Sequence, residues 1–178
     1  MMAEIYKPPD RSIFNQHRPY KKYVFLAGSI EMGRAEDWQD RVGRLISNTG
    51  INVLNPRRDD WDSSWEQDIN DDNFREQVQW ELDGLELADA VLVYFSPETE
   101  APISLLEFGL LSQMKPKDTF VCCPPGFWRR GNIQIVCLKF GMLSNLFDDL
   151  DEAVGALIGH VLQLEKPMPD PEYTSGGK

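Results

Sequence analysis

The sequence contains few residues that bind metals or form disulfides. Its three cysteines, Cys122, Cys123 and Cys137, lie in apolar runs, and an odd number in such runs fits reduced core thiols better than a disulfide framework. Apart from them there are only two histidines, His17 and His160, so a zinc site is not expected.

Long apolar runs and an excess of basic residues are also missing. No run approaches the ~20 apolar residues that span a bilayer, and the first residues do not resemble a secretion signal, so we expect a cytoplasmic protein without a membrane partner. With 18 Lys and Arg against 29 Asp and Glu, the formal net charge is −11. This charge argues against nucleic acid as a partner and leaves a small polar ligand open.

The chain is expected to fold as one domain with loose ends. Its 178 residues, of which 42% are hydrophobic and 26% charged, are typical of a single globular domain. Residues 1–20 are rich in proline and polar groups and predict an irregular N-terminal arm. Residues 167–178, with three prolines and a Ser-Gly-Gly run, predict a flexible tail, which leaves the folded domain at 21–166.

Within the domain, short apolar runs alternate with amphipathic segments. Strands are predicted at 23–27, 51–54, 90–95, 119–123 and 133–138, and helices at 35–47, 73–88, 102–114 and 145–163. This alternation predicts a flavodoxin-like (Rossmann-like) α/β fold, a five-stranded parallel sheet with helices on both faces. Ligands of such sheets bind outside the carboxyl ends of the strands, here segments 28–34, 55–65, 96–107 and 124–132.

The first of these segments connects a strand to a helix, where backbone N–H groups favour an anionic or hydroxylated ligand. Its glycines, Gly28 and Gly33, have the separation found in P-loops. However, Arg34 and Ala35 replace the Lys and Ser/Thr of a P-loop, and the G-x-G-x-x-G pattern is absent. NTPase and dinucleotide-binding interpretations therefore fail and no cofactor is expected; the segment is either a ligand-contacting loop or a tight turn.

Two acidic residues are the candidates for catalysis. Glu107 lies in the apolar stretch 103–111, one turn into a helix, where burial would penalise its charge and the helix dipole would partly restore it. A carboxylate in this position is suited to act as a nucleophile. The alternative is that the Glu107 carboxylate only caps N–H groups or points into water. Glu81 lies beside the inward stripe of the preceding helix. The alternative to a catalytic role is that Glu81 is a solvated helix residue. Two such carboxylates roughly 5 Å apart would imply double displacement with retention at the carbon between them.

The segment after the second strand carries planar, hydrogen-bonding and aromatic side chains. Asn55, Arg57 and Trp61 are residue types that bind heterocycles, by stacking against the ring and by hydrogen bonding to its polar atoms. Seven acids and no base follow at 59–72, but a calcium loop is rejected because Trp65 would occupy its obligatory glycine. The alternative is a charged, solvated connector.

Four motifs, taken in their order along the chain, resemble those of the nucleoside 2-deoxyribosyltransferase superfamily, which also contains nucleoside 5'-monophosphate N-glycosidases. They are Phe-Leu-Ala-Gly-Ser at 25–29, Asn-Pro-Arg-Arg at 55–58, Trp-Glu-Leu-Asp-Gly-Leu-Glu-Leu-Ala-Asp at 80–89, and Leu-Glu-Phe-Gly at 106–109. The resemblance covers about residues 22–140. Each motif is weak alone, and the Glu-x-Gly element after the third strand is moderately specific.

The resemblance implies an enzyme that cleaves the N-glycosidic bond of a 2'-deoxynucleoside. Glu107 would attack the anomeric carbon of the deoxyribose and hold the sugar as an ester until a second base or water takes it. Glu81 would assist proton transfer to and from the base or orient the sugar. The helix dipole would help to keep Glu107 ionised, as an attacking carboxylate must be.

The resemblance also implies contacts to the sugar and a shared site. Gly28 and Ser29 would border the sugar, and Phe25 stands where the family often has a tyrosine that touches the nucleophile. Ser104 is a further candidate substrate contact, and Asn132 is the candidate contribution from a neighbouring subunit. A homo-oligomer, either a dimer or a dimer of dimers with sites near the subunit interface, is therefore expected.

Two departures from the family pattern concern acids. Glu81 stands where the family usually has Asp, and Ala101 replaces an acid that commonly binds a sugar hydroxyl.

Three functions remain open from the sequence: base exchange on a deoxynucleoside, hydrolysis of the same bond in a nucleotide, and nucleoside or nucleotide binding without catalysis. The second needs phosphate recognition, for which Ser29, Arg34 and Ser104 are the candidates. In all three, the expected partners are a small nucleoside or nucleotide and, for exchange, a free nucleobase.

Overall fold

The fold is described from a computed structural model. It describes residues 2–15, 20–30 and 37–165. The expectations about Arg34 and the tail 167–178 lie outside the described residues.

A parallel six-stranded sheet forms the centre of the protein, in the order β1-β3-β2-β4-β5-β6. The two central strands, β2 and β4, are apolar and pair from Val24 opposite Ala90 to Gly28 opposite Tyr94. The strands are β1 (Ile5–Tyr6), β2 (Tyr23–Gly28), β3 (Asn52–Leu54), β4 (Ala90–Tyr94), β5 (Thr119–Cys122) and β6 (Leu146–Phe147).

In the described ranges, five helices cover the two faces of the sheet. They are α1 (Trp38–Ile46), α2 (Asp72–Leu87), α3 (Pro102–Met114), α4 (Arg130–Lys139) and α5 (Leu150–Gln163). Apolar residues of α2, α3 and α4 form one buried cluster with one face of the sheet, and residues of α1 and α5 form a second cluster on the other face. None of the helices in the described ranges is long and apolar enough to cross a membrane.

Local signals start the helices. Asp71 caps α2 by accepting a hydrogen bond from the N–H of Phe74, and Asp149 caps α5 through the N–H groups of residues 151 and 152. Pro102 occupies the first turn of α3, where a missing N–H costs nothing.

The predicted fold class, a flavodoxin-like α/β sheet with helices on both faces, is confirmed. Leaving β1 aside, the order β3-β2-β4-β5-β6 is that of flavodoxin. The predicted strand at 133–138 is wrong, because this segment lies in α4. The fifth strand of the core order is instead β6, and the last helix begins at Leu150 rather than at 145.

The described part of the segment before residue 21, residues 2–15 and 20, packs on the domain through β1 and Ile13. β1 adds to the sheet edge beside β3, and Ile13 is buried in the cluster that contains α2. The indole N–H of Trp80 donates to the carbonyl of Asp10 at 2.8 Å.

Candidate functional site

At the carboxyl edge of the sheet, β2 and β4 approach each other closely. Gly28 has φ +144°, and a Cβ there would lie 2.4 Å from the Tyr94 carbonyl oxygen and 2.9 Å from the Trp38 ring. Only glycine fits such a position. Gly28 is therefore required for the turn from β2 into the candidate site.

The next residue, Ser29, ties this turn to the loop that leads into α3. Its hydroxyl lies 2.6 Å from the Thr99 hydroxyl and accepts a hydrogen bond from the Ser96 N–H at 3.1 Å. Its carbonyl accepts from the Trp38 indole N–H at 2.9 Å. The Ser29 side chain thus fastens the loop 95–101 to the end of β2.

Helix α3 begins under strain and turns a polar pair inward. Ala101, its N-cap, has a left-handed conformation with φ 46°, which costs free energy for any residue other than glycine. Ser104 and Glu107 are one turn apart on the buried side of the helix, and Glu107 is only 8% exposed. The carboxyl that the sequence singled out is therefore withdrawn from bulk water.

Glu81 on α2 and Glu107 on α3 interact electrostatically. Burial, followed by the charge of Glu81, raises the pKa of Glu107 to about 8. Burial also raises the pKa of Glu81 to about 7, opposed by a hydrogen bond from Gln77. The two carboxyls together therefore hold a proton near neutral pH.

This protonation differs from the expectation that the helix dipole keeps Glu107 ionised. Glu107 lies beyond the first turn of α3, and the dipole acts mainly within that turn. Loss of hydration and the neighbouring Glu81 carboxylate both disfavour the Glu107 anion, and together they outweigh the effect of the helix dipole.

Of the predicted site residues after β3, Asn55 and Arg57 contact each other, and Arg57 also contacts the residue before α1. Asn55 is buried, and its side-chain oxygen accepts a hydrogen bond from the Arg57 N–H at 3.0 Å. The Arg57 Nε lies 3.7 Å from a carboxylate oxygen of Asp37, before α1. Trp61 packs on Trp65 with ring centroids 5.1 Å apart, and its buried indole N–H has no hydrogen-bond partner in the part of the chain described.

Two predicted site residues are placed differently. Phe25 is fully buried in the middle of β2, where its ring packs against Trp80 and Gly84. Asn132 lies exposed in the first turn of α4. The structure therefore brings Glu81 and Glu107 together, but it puts Phe25 in the core and Asn132 on the surface.

Sequence reasoning missed Gln77 and Thr99, and it identified Arg58 only as part of the motif at 55–58. Arg58 forms a two-point ion pair with Asp60 and lies over the Trp65 ring at 4.9 Å, which orders the acidic loop. Gln77 was detectable, since it precedes Glu81 by one helical turn. Thr99 carried no signal, because its bond to Ser29 depends on the loop conformation.

These features define a class: a Rossmann-like α/β protein with a buried carboxyl, Glu107, and a partly buried one, Glu81, contributed by two helices on one face of the sheet. A family model described as nucleoside 2-deoxyribosyltransferase like matches residues 21–127. The chain therefore belongs to the nucleoside 2-deoxyribosyltransferase-like family, whose members are glycosyltransferase- or glycosidase-like and bind nucleosides. A search of curated proteins finds no match.

Proposed function

We propose that this protein is a nucleoside 2-deoxyribosyltransferase that moves deoxyribose from one base to another. The observation that carries the proposal is the burial of the Glu107 carboxyl on the inner side of α3, within electrostatic reach of Glu81 on α2. Ionisable groups with strongly raised pKa values are concentrated at catalytic sites. Family membership supports the same chemistry.

The two carboxyls divide the reaction between them. A Glu107 oxygen attacks C1' of the deoxyribose, the C1'–N bond breaks, and the departing base takes the proton of Glu81. A second base then attacks C1', the ester bond to Glu107 breaks, and Glu81 recovers a proton from the incoming base. The reactive form therefore carries its proton on Glu81 and leaves Glu107 anionic. Because the pKa of Glu107, about 8, exceeds that of Glu81, about 7, the proton lies mainly on Glu107 before substrate binds, and the proposed reaction requires it to move to Glu81.

The remaining site residues are proposed to bind the substrate. Gly28, Ser29 and Ser104 would border the sugar, on the turn after β2 and on the buried side of α3. Asn55, Arg57 and Trp61 would contact the base. The unpartnered indole N–H of Trp61 supports this role, because a buried donor without an acceptor in the described residues is costly unless a ligand supplies one. The same role for Phe25 would require its ring to leave the core.

Hydrolysis of a nucleoside monophosphate is the second candidate. It would use the same Glu107 ester with water as the acceptor. The Ser29 hydroxyl is already engaged by Thr99 and by the Ser96 N–H, and this engagement favours a nucleoside over a monophosphate.

We also propose that the protein is a homo-oligomer with Asn132 completing the site of a neighbouring copy. Helix α3 exposes a row of apolar side chains: Ile103, Leu106, Leu110 and Met114. Such a row is typical of an interface between subunits. An interface on α3 would lie on the outer side of the helix that carries Glu107.

One assay tests the function. The protein is incubated with deoxyadenosine, thymidine or their 5'-monophosphates, with and without a free acceptor base, and products are separated by chromatography. Base exchange is expected from the nucleosides, with loss of at least about a thousandfold in rate for Glu107→Gln. Glu152→Gln, an exposed change on α5 on the opposite face, is the matched control.

The other outcomes assign the alternatives. Release of the base from monophosphates without base exchange would contradict the transferase proposal and indicate the hydrolase. Ligand protection against heating without any turnover would indicate a binding protein. A fully active Glu107→Gln variant would refute the nucleophile assignment.

A further inference from the structure

Gln77 holds a buried hydrogen-bond junction next to Glu81. It lies one turn before Glu81 on α2 and is 5% exposed. Its side-chain Nε2 donates to a Glu81 carboxylate oxygen at 2.8 Å and to the Pro56 carbonyl oxygen at 2.9 Å. The amide thus connects the candidate acid to the loop that follows β3.

The orientation of this amide follows from its partners. A backbone carbonyl of Pro56 only accepts hydrogen bonds, so the nitrogen of Gln77 must face it. Both Nε2 hydrogens are then used, and the Glu81 oxygen receives the second one. The Gln77 oxygen is left buried without a partner among the described residues, an arrangement that weakens stability.

We infer that Gln77 is a positioning residue for Glu81, whose side-chain amide fixes the Glu81 carboxyl between α2 and the loop after β3, within electrostatic reach of Glu107. This inference rests on the proposed function for its catalytic consequence. A free Glu side chain samples several rotamers, and proton transfer requires the carboxyl at one place. The donated hydrogen bond selects one of them.

The same bond has an electrostatic effect that can be measured without turnover. Donation to the Glu81 oxygen favours the anion and lowers its pKa, against the effect of burial. In the described residues, the titratable group that faces Glu81 from another element is Glu107 on α3. Gln77 is uncharged, so replacing it removes the donor without changing the net charge.

The test is a carboxyl titration by carbon-detected NMR on the full-length protein. Gln77→Met keeps the length of the side chain and removes both donors, and Gln79→Met is the matched control on the exposed side of the same helix. The Glu81 signal is assigned by its disappearance in Glu81→Gln. The pKa of Glu81 is expected to rise by about one pH unit in Gln77→Met and to stay unchanged in Gln79→Met.

An unchanged Glu81 pKa in a folded Gln77→Met protein would overturn the inference. If this variant melts far below the wild type, Gln77→Asn serves instead, since it keeps the amide but shortens its reach by a methylene. Failure of the proposed function would appear as a wild type without turnover while the titration still shifts.

A kinetic measurement distinguishes positioning from a merely structural role. In the base-exchange assay, Gln77→Met is expected to lower kcat about tenfold and leave KM within about twofold, with the pH profile moved upward by the same amount as the Glu81 pKa. A shifted pKa with unchanged kcat would refute the positioning role in an active enzyme.

Discussion

The burial that makes Glu107 a candidate nucleophile also makes it a source of instability. The folded protein raises the pKa of this carboxyl from 4.5 to about 8, so it binds the proton more tightly than the unfolded chain does. Below pH 4.5 both states are protonated and the effect vanishes. As the pH rises from there toward 8, the unfolded state alone loses the proton and the free energy of unfolding falls.

The first prediction follows from this fall in the free energy of unfolding as the pH rises. Glu107→Gln cannot ionise, so it is expected to melt higher than the wild type at pH 8, by about 3 °C or more, and nearly equally at pH 4.5. Thermal melts across this pH range measure the difference. Glu152→Gln, at an exposed position, should show no such pH dependence. A Glu107→Gln protein that is less stable at pH 8 would show that the carboxyl is not desolvated.

The second prediction concerns Glu81. Glu81→Gln retains the size of the side chain but cannot donate and recover a proton, so kcat should fall by about a hundredfold or more. Glu86→Gln, exposed on the same helix, is the control and should keep wild-type turnover. A Glu81→Gln rate within about twofold of the wild type would rule out proton transfer by this residue.

At the scale of secondary-structure elements, the close contact between the ends of β2 and β4 depends on the absence of a side chain at Gly28. The third prediction is that Gly28→Ala destabilises the protein by more than about 2 kcal/mol, because its Cβ would meet the Tyr94 carbonyl and its φ is positive. Gly155→Ala in α5 has nothing within 4 Å of the added Cβ and should stabilise by about 0.5–1 kcal/mol. Urea unfolding measures both changes, and equal effects would contradict the close approach.

Helix α4 shows why a periodicity can mislead. The run 133–138 is apolar and short, and both features are typical of a buried strand. In the structure Ile133 and Cys137 face the core, four residues apart, whereas Ile135 and Leu138 are 68% and 65% exposed. A helix with apolar residues on its outer side does not have the amphipathic pattern that identifies helices.

Across the whole molecule, the exposed apolar side chains of α3 lead to the fourth prediction. Leu106→Glu, at a residue that is 63% exposed, is expected to convert the proposed oligomer into a monomer, because a charge would be buried in the interface. Leu162→Glu, at a residue that is 51% exposed on α5, is the control and should leave the assembly intact. Light scattering coupled to size exclusion gives the mass. A wild-type monomer would contradict the proposed assembly.

The overall architecture could be predicted from the residues because its signals are local. Continuous apolar runs marked β2 and β4, and Pro102 marked the start of α3 at the observed position. Glu107 stood out because a charge within an apolar helical stretch must be buried or turned away.

Relations between distant segments were not readable in the same way. The pKa of Glu107 depends on its burial and then on Glu81, the position of the Glu81 carboxyl depends on Gln77 and Pro56, and the loop before α3 depends on Ser29. Each relation requires two segments to be packed against each other at a given distance, and loss of hydration and hydrogen bonding act only over such short distances. Local patterns in a chain identify which groups are available, whereas packing sets their protonation and their partners.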